Sequence, residues 1–176
     1  MKTYDIKYRI IEFFFTNPTK RLRVRELERE LKAPLPSVIR YVKELINEGL
    51  LKVIKISNVT FYTADRSSKK FILLKRLRNI RKIYDSGLND FLINELGNPV
   101  IILFGSFFKG DDIEDSDIDL FIQSELNKKI NLNKFEQLLN RRIQLFIHKN
   151  IKDVKNTDLM NNIINGFTIN GLLEVF

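Results

Sequence analysis

The sequence predicts an α+β chain in two parts: a basic front that is mostly helical and closes on a hairpin, and a back half built on a small mixed sheet. Three observations carry this. Residues 1–96 hold 21 Lys and Arg against 11 Asp and Glu, a surplus of +10, whereas residues 97–176 hold 9 against 11, a deficit of −2. Two β-rich runs, 51–56 and 59–62, flank Ser57-Asn58 and read as a hairpin. Further on, the apolar run 99–104 and the alternating run 117–122 read as two strands either side of an acidic loop.

The size and composition bound the rest. The chain has 176 residues, 44% of them hydrophobic and 14 of them Phe, enough for a sizeable core and too apolar for disorder. It has no Cys and one His, which excludes a disulfide framework and zinc sites built on Cys or several His. No apolar run approaches the ~20 residues of a membrane span, and the N-terminus lacks the features of a signal peptide. A cytoplasmic protein with no membrane partner is expected.

Taken in order, residues 4–16 place Ile6, Ile10, Ile11, Phe13 and Phe14 on one helical face, and Asn17-Pro18 ends the helix. Residues 19–24 alternate and suggest a small strand. Residues 25–32 form a short helix with Leu27 and Leu31 inward, broken at Ala33-Pro34. Pro36-Ser37 starts a third helix with Val38, Val42, Leu45 and Ile46 inward, closed by Gly49. Residues 66–96 read as a helical connector. Phe71, Leu73, Leu74, Leu77, Ile80 and Ile83 form its apolar face, and Lys and Arg form the other. Gly87 divides it. In the back half, residues 132–140 form a helix with Phe135, Leu138 and Leu139 inward. Residues 142–147 alternate as a third strand, and residues 159–171 hold a helix followed by a short β-run. The expected domains are 1–65, the connector 66–96, and 97–176.

The chemistry lies between the first two back-half strands. Gly105-Ser106 ends one strand, ten residues follow, and Asp117-Ile118-Asp119 opens the next. Residues two apart on a strand share a face, so Asp117 and Asp119 point the same way while Ile118, Leu120 and Ile122 point into a core. Carboxylates forced together repel. A hard divalent cation, Mg²⁺ or Mn²⁺, would compensate them through oxygen ligands. Gly105 allows a close backbone approach, and the amides beyond it suit a phosphate. The bland alternative is a solvated acidic loop, since residues 111–119 include six carboxylates.

The Gly105-Ser106 to Asp117-Ile118-Asp119 spacing, with Gly110 and Ser116-Asp117-Ile118-Asp119-Leu120, resembles the DNA polymerase beta-like nucleotidyltransferases, in particular the minimal nucleotidyltransferases of archaea and bacteria. That resemblance implies a small mixed sheet. It also implies Mg²⁺ held by Asp117 and Asp119 as the catalytic acids, and a nucleoside triphosphate held by Gly105 and Ser106, with Lys109 as a further cation. It implies transfer of a nucleoside monophosphate to an acceptor that the sequence leaves open. Two departures stand out. The family's third carboxylate falls at Gln144, a neutral amide that is no base and a weak ligand, and Phe107 stands where relatives often carry a basic residue. His148, on the same strand face as Gln144, reads as a surface or packing residue rather than a ligand.

The front half resembles the winged-helix repressors in Val24-Arg25-Glu26-Leu27, in Pro36 through Leu45, and in Glu48-Gly49-Leu50. The resemblance implies a third helix in the major groove of double-stranded DNA and a hairpin wing along its backbone. Ser37, Arg40, Tyr41 and Lys43, on or near the exposed side of that helix, are the candidate contacts. Arg21 and Arg23 are candidates for phosphate, and Lys55 and Asn58 lie in the wing. The plain alternative is a small interaction module with ordinary solvated basic residues. A palindromic site would favour a homodimer. Three functions compete: an active enzyme, a transcriptional regulator whose degenerate site senses nucleotide without turnover, and an antitoxin-like partner of a small helical toxin.

Overall fold

The computed structural model describes residues 4–126 and 128–175. The expected domain ranges include residues 1–3, 127 and 176, which lie outside the described residues. The chain divides into two compact units, Met1–Lys75 and Arg76–Phe176.

The first unit is three helices and a hairpin: α1 (Tyr4–Thr16), α2 (Val24–Leu31), α3 (Leu35–Asn47), β1 (Leu51–Ile56) and β2 (Val59–Ala64). Ile6, Ile10, Ile11 and Phe14 of α1 meet Leu27 of α2 and Val38, Val42 and Leu45 of α3 in one core. α2 is held at its start by Arg23 and Glu26. The Glu26 carboxylate accepts from the Arg23 backbone at 2.7 Å and from its guanidinium at 2.8 Å. The hairpin is antiparallel with Ile56 opposite Val59, so Ser57 and Asn58 alone make the turn. Both take positive φ, 45° and 64°, as a two-residue type I′ turn requires.

Two expectations for this unit need correcting. Residues 19–24 form no strand. Leu22 makes a single bridge to Tyr62, and Val24 already starts α2. Tyr41 is not on the exposed side of α3 but 8% exposed in the core. Val38, Tyr41, Val42 and Leu45 follow i, i+3, i+4, i+7, a complete apolar stripe. The aromatic ring belongs to that stripe.

α4 (Lys69–Asp85) runs through the boundary between the units. Its expected apolar face is only partly buried: Phe71 joins the first core and Ile83 the second, while Leu73 and Leu77 are 53% and 55% exposed. The buried line instead steps by four through Phe71, Lys75, Asn79 and Ile83. Asn79 can be buried because its amide donates to Phe107 O at 2.8 Å and to Asp112 Oδ1 at 2.9 Å.

The second unit continues with α5 (Leu88–Leu96), β3 (Val100–Phe104), α6 (Gly105–Lys109), β4 (Ile118–Gln123), α7 (Asn133–Leu139), β5 (Ile143–His148), a 3₁₀ turn (Ile151–Asp153), α8 (Thr157–Ile164) and β6 (Phe167–Asn170). The sheet order is β5-β4-β3-β6. β3 is antiparallel to β4 and β6, and β4 is parallel to β5, so the sheet is mixed. Both faces are covered, which explains why β3 is continuously apolar. Ile101, Leu103, Leu120 and Ile122 face α5, α6 and α7. Ile102, Phe104 and Phe121 face the 3₁₀ turn and α8. On α7, Phe135 and Leu139 are buried as expected, but Leu138 is 62% exposed; it lies one residue off the i, i+4 line that packs. No helix among the described residues is long and apolar enough to cross a membrane.

Candidate functional site

The site assembles where β3 ends against the start of β4. Phe104 stands opposite Asp119 in the ladder. The chain then turns at Gly105, φ 73°, directly into α6, a short helix that the sequence reading took simply for the end of a strand. The left-handed φ and the packing both demand glycine. A Cβ there would lie 2.1 Å from Asp119 Oδ2, so the missing side chain is the space the carboxylate occupies. Gly105→Ala is therefore expected to cost about 1–2 kcal/mol from backbone conformation alone and more from displacing Asp119. Urea unfolding of the full chain would read this as a lower midpoint.

Asp119 shares its strand face with Phe121, at the rim of the layer that α8 covers. Asp117 lies one residue before β4 rather than within it. The ladder still reaches its neighbour, because Ile118 N donates to Arg142 O at 2.8 Å. Burial, and secondarily the charge of Asp117, push the Asp119 carboxyl above the ordinary aspartate range. The two carboxylates thus sense each other. Gln144 lies on β5 in register with Asp119, so the two side chains share a sheet face. Gln144 is exposed, and His148 stacks near Phe121, with 6.1 Å between ring centroids.

The remaining expected residues fall as follows. Ser106 is in the first turn of α6, half-buried, and its carbonyl accepts from Gly110 N and Asp111 N. Lys109 is exposed and donates to Asn162 Oδ1 on α8 at 3.0 Å. Phe107, the second departure, is 2% exposed in the core, where a basic residue would be costly. Beside Asp117 opens a polar cleft of about 850 Å³, lined by Ser116, Asn133, Gln137, Asn140 and Arg142 among others. The sequence reading missed these residues. The i, i+4 spacing of Asn133 and Gln137 on α7, with Asn140 at its C-cap, is the available signal.

Asp117 and Asp119 are the carboxylates that could hold a divalent cation. Mg²⁺ is commonly held by one or two carboxylates with waters and phosphate oxygens completing its shell. Among the described residues no group of three or more His, Cys, Asp or Glu could hold a metal.

In the first unit, Arg40 lies over the Tyr41 ring at 4.5 Å, donates to its hydroxyl at 2.7 Å and stands 4.0 Å from Glu44. Lys43 is exposed on the same helix, and Ser37 is half-buried near its start. Arg21, Lys55 and Asn58 are exposed. Arg23 and Asn58 border a cleft of about 490 Å³ between α2 and the hairpin, which Arg25 and Arg29 also line. The structure thus brings Arg23 and Asn58 to one cleft and sets Arg40 and Lys43 on the exposed face of α3.

Residues 88–169 match the family described as Polymerase beta, Nucleotidyltransferase, which supports a nucleotidyltransferase domain in the second unit. No curated protein and no solved structure matches the chain.

Proposed function

We propose that the second unit binds a nucleoside triphosphate with Mg²⁺ or Mn²⁺ at Asp117, Asp119, Gly105 and Ser106, and is built for nucleotidyl transfer. The observation that carries this is the Asp119 carboxylate seated in the space left by Gly105, within a segment that matches the nucleotidyltransferase family. When bound, the cation neutralises charge on the phosphates and polarises the reacting phosphoryl group. Asp117 and Asp119 supply its protein oxygens. The Gly105-Ser106 turn brings backbone close to the phosphates, and Lys109, exposed on α6 and held by Asn162, adds a positive charge nearby. Gln144 offers no base, so transfer is slow, and the alternative is a site that senses nucleotide without turnover. Thermal melting of the full chain with Mg²⁺ and each nucleoside triphosphate tests this. A rise in melting temperature that needs both metal and nucleotide supports it, and no rise with any of them overturns it.

The first unit, on this reading, is a winged helix that binds duplex DNA, so that the whole is a DNA-binding regulator carrying a nucleotidyltransferase domain. The +10 surplus of residues 1–96 and the exposed Arg40 and Lys43 on α3 support it. Duplex affinity of the full chain is expected to fall steeply as salt rises, through counterion release. Arg40→Ala is expected to cost about 1–3 kcal/mol if the guanidinium leaves Tyr41 to read a guanine edge. Fluorescence anisotropy over a salt series checks both. Absent binding at low salt, or a silent Arg40→Ala, sinks the DNA role as stated.

A further inference from the structure

The residues 111–117 that lead into the acid pair hold no helix or strand, yet Asp117 can act with Asp119 only if this loop returns to one conformation. Its carboxylates repel one another, so the loop needs an anchor. The structure supplies one at the α7–β5 junction. Asn140 takes a left-handed φ of 51° and ends α7, and Arg141 follows with its side chain 5% exposed. Its guanidinium donates to the carbonyl oxygens of Glu114 and Asn140 and stands 3.7 Å from Asp112 Oδ2, a carboxylate with no exposed surface. The other oxygen of Asp112 accepts from Asn79 of α4. The loop's own turn closes when Ile113 N donates to Ser116 Oγ at 2.9 Å. Three residues far apart in sequence, Asn79, Asp112 and Arg141, therefore make one buried polar network beneath the loop.

We propose that Arg141 is a positioning residue for nucleotide binding: by holding the Asp112 carboxylate and the Glu114 carbonyl together, it sets the 111–117 loop so that Asp117 is presented beside Asp119. The chemistry suits arginine rather than lysine. A planar fork serves a carboxylate and a carbonyl at once, whereas an ammonium is a single compact charge. A buried pair of this kind is weak evidence for net stability but fixes geometry, and removing one partner strands the other. The consequence for nucleotide binding rests on the reading of Asp117 as a metal ligand; the ordering of the loop does not.

The test uses the full chain with three variants. Arg141→Lys keeps the buried charge. The double variant Asp112→Asn with Arg141→Gln strands no charge and so keeps the fold accessible. Leu92→Ala, in the core of α5, is a control for lost stability alone. Two readouts are taken: amide hydrogen exchange over 111–118 without ligand, and the melting shift on titrating Mn²⁺ with each nucleoside triphosphate. Arg141→Lys and the double variant are expected to exchange at least tenfold faster over 111–118 and to need at least tenfold more Mn²⁺-nucleotide. Leu92→Ala, though destabilised to urea, keeps both at the wild-type value. Wild-type exchange over 111–118 in both Arg141 variants, or an equal loss in Leu92→Ala, overturns the proposal. If the unaltered chain binds no nucleotide, the metal-site reading fails, and the exchange arm still decides whether Arg141 sets the loop.

Discussion

Gln144→Asp is expected to raise nucleotidyl transfer by about 10²–10⁴-fold, the usual contribution of a positioned general base. The unaltered chain is expected to show slow or undetectable transfer. Gln144 stands in register with Asp119 on the parallel neighbouring strand and is exposed. A carboxylate there shares a face with Asp119, with the strands about 4.8 Å apart, and restores the third acid that the resemblance to the minimal nucleotidyltransferases leads one to expect. The same change adds a negative charge beside a carboxyl already pushed up by burial and by Asp117. The metal-free variant should therefore melt lower than the unaltered chain at neutral pH, and added Mg²⁺ should recover more stability in it. Label transfer from nucleoside triphosphates into cell extract, with Mg²⁺ or Mn²⁺, measures the first effect, and melting measures the second. Robust metal-dependent transfer by the unaltered chain would sink the degenerate-site reading and direct attention to another base, such as the exposed Asp115.

Asp117→Asn with Asp119→Asn is expected to abolish the nucleotide-dependent melting shift. A ligand at 100 times its Kd stabilises the native state by about 2.7 kcal/mol, several degrees of melting temperature for a unit of this size, so the loss is easily read. The pH dependence tests Asp119. The Asp119 carboxyl is raised from the ordinary 3.8, first by burial and then by Asp117. Its folded form therefore holds its proton more tightly than its unfolded form. The stability that follows is complete below the ordinary aspartate pKa and is lost as pH rises through the raised value. Asp119→Asn cannot ionise, so without metal it should melt a few degrees higher than the unaltered chain at pH 7 and converge with it in acid. Binding of the metal-nucleotide complex needs the charged form, and should fall away with acid at a higher pH than a free aspartate would allow. An Asp119→Asn chain that still shows the full nucleotide shift would remove Asp119 from the site.

Much of the scaffold was legible locally. Alternation in 117–122 places Asp119 on one sheet face and Leu120 on the other, because the side-chain period of a strand is a property of contiguous backbone. The two-residue hairpin turn at Ser57-Asn58 likewise follows from the β-rich runs around it, although the left-handed φ of Ser57 carries no signal of its own. Tyr41 shows the limit. Its spacing from Val38 completes the apolar stripe, yet an aromatic with a hydroxyl also suits a surface, and packing against the first core settled it as buried. Leu73 and Leu77 show the converse: an apolar side chain is free to be exposed, and Asn79 took a buried place because partners waited for it at Phe107 and Asp112.

The sequence by itself placed Asp119 and Gln144 on strands and Gly105-Ser106 at a strand end, because each lies in a short stretch whose period is set by backbone geometry, while it is the resemblance to the nucleotidyltransferases that implies a carboxylate where Gln144 stands. Only the tertiary structure decided that Gly105 must lack a Cβ because Asp119 fills that space, that β5 runs parallel beside β4 with Gln144 next to Asp119, and that Arg141, Asp112 and Asn79 close beneath the loop. The reason is that these contacts join segments 14 to 33 residues apart. No local period encodes such a contact, and it exists only once the two-sided packing of the sheet has brought the segments together.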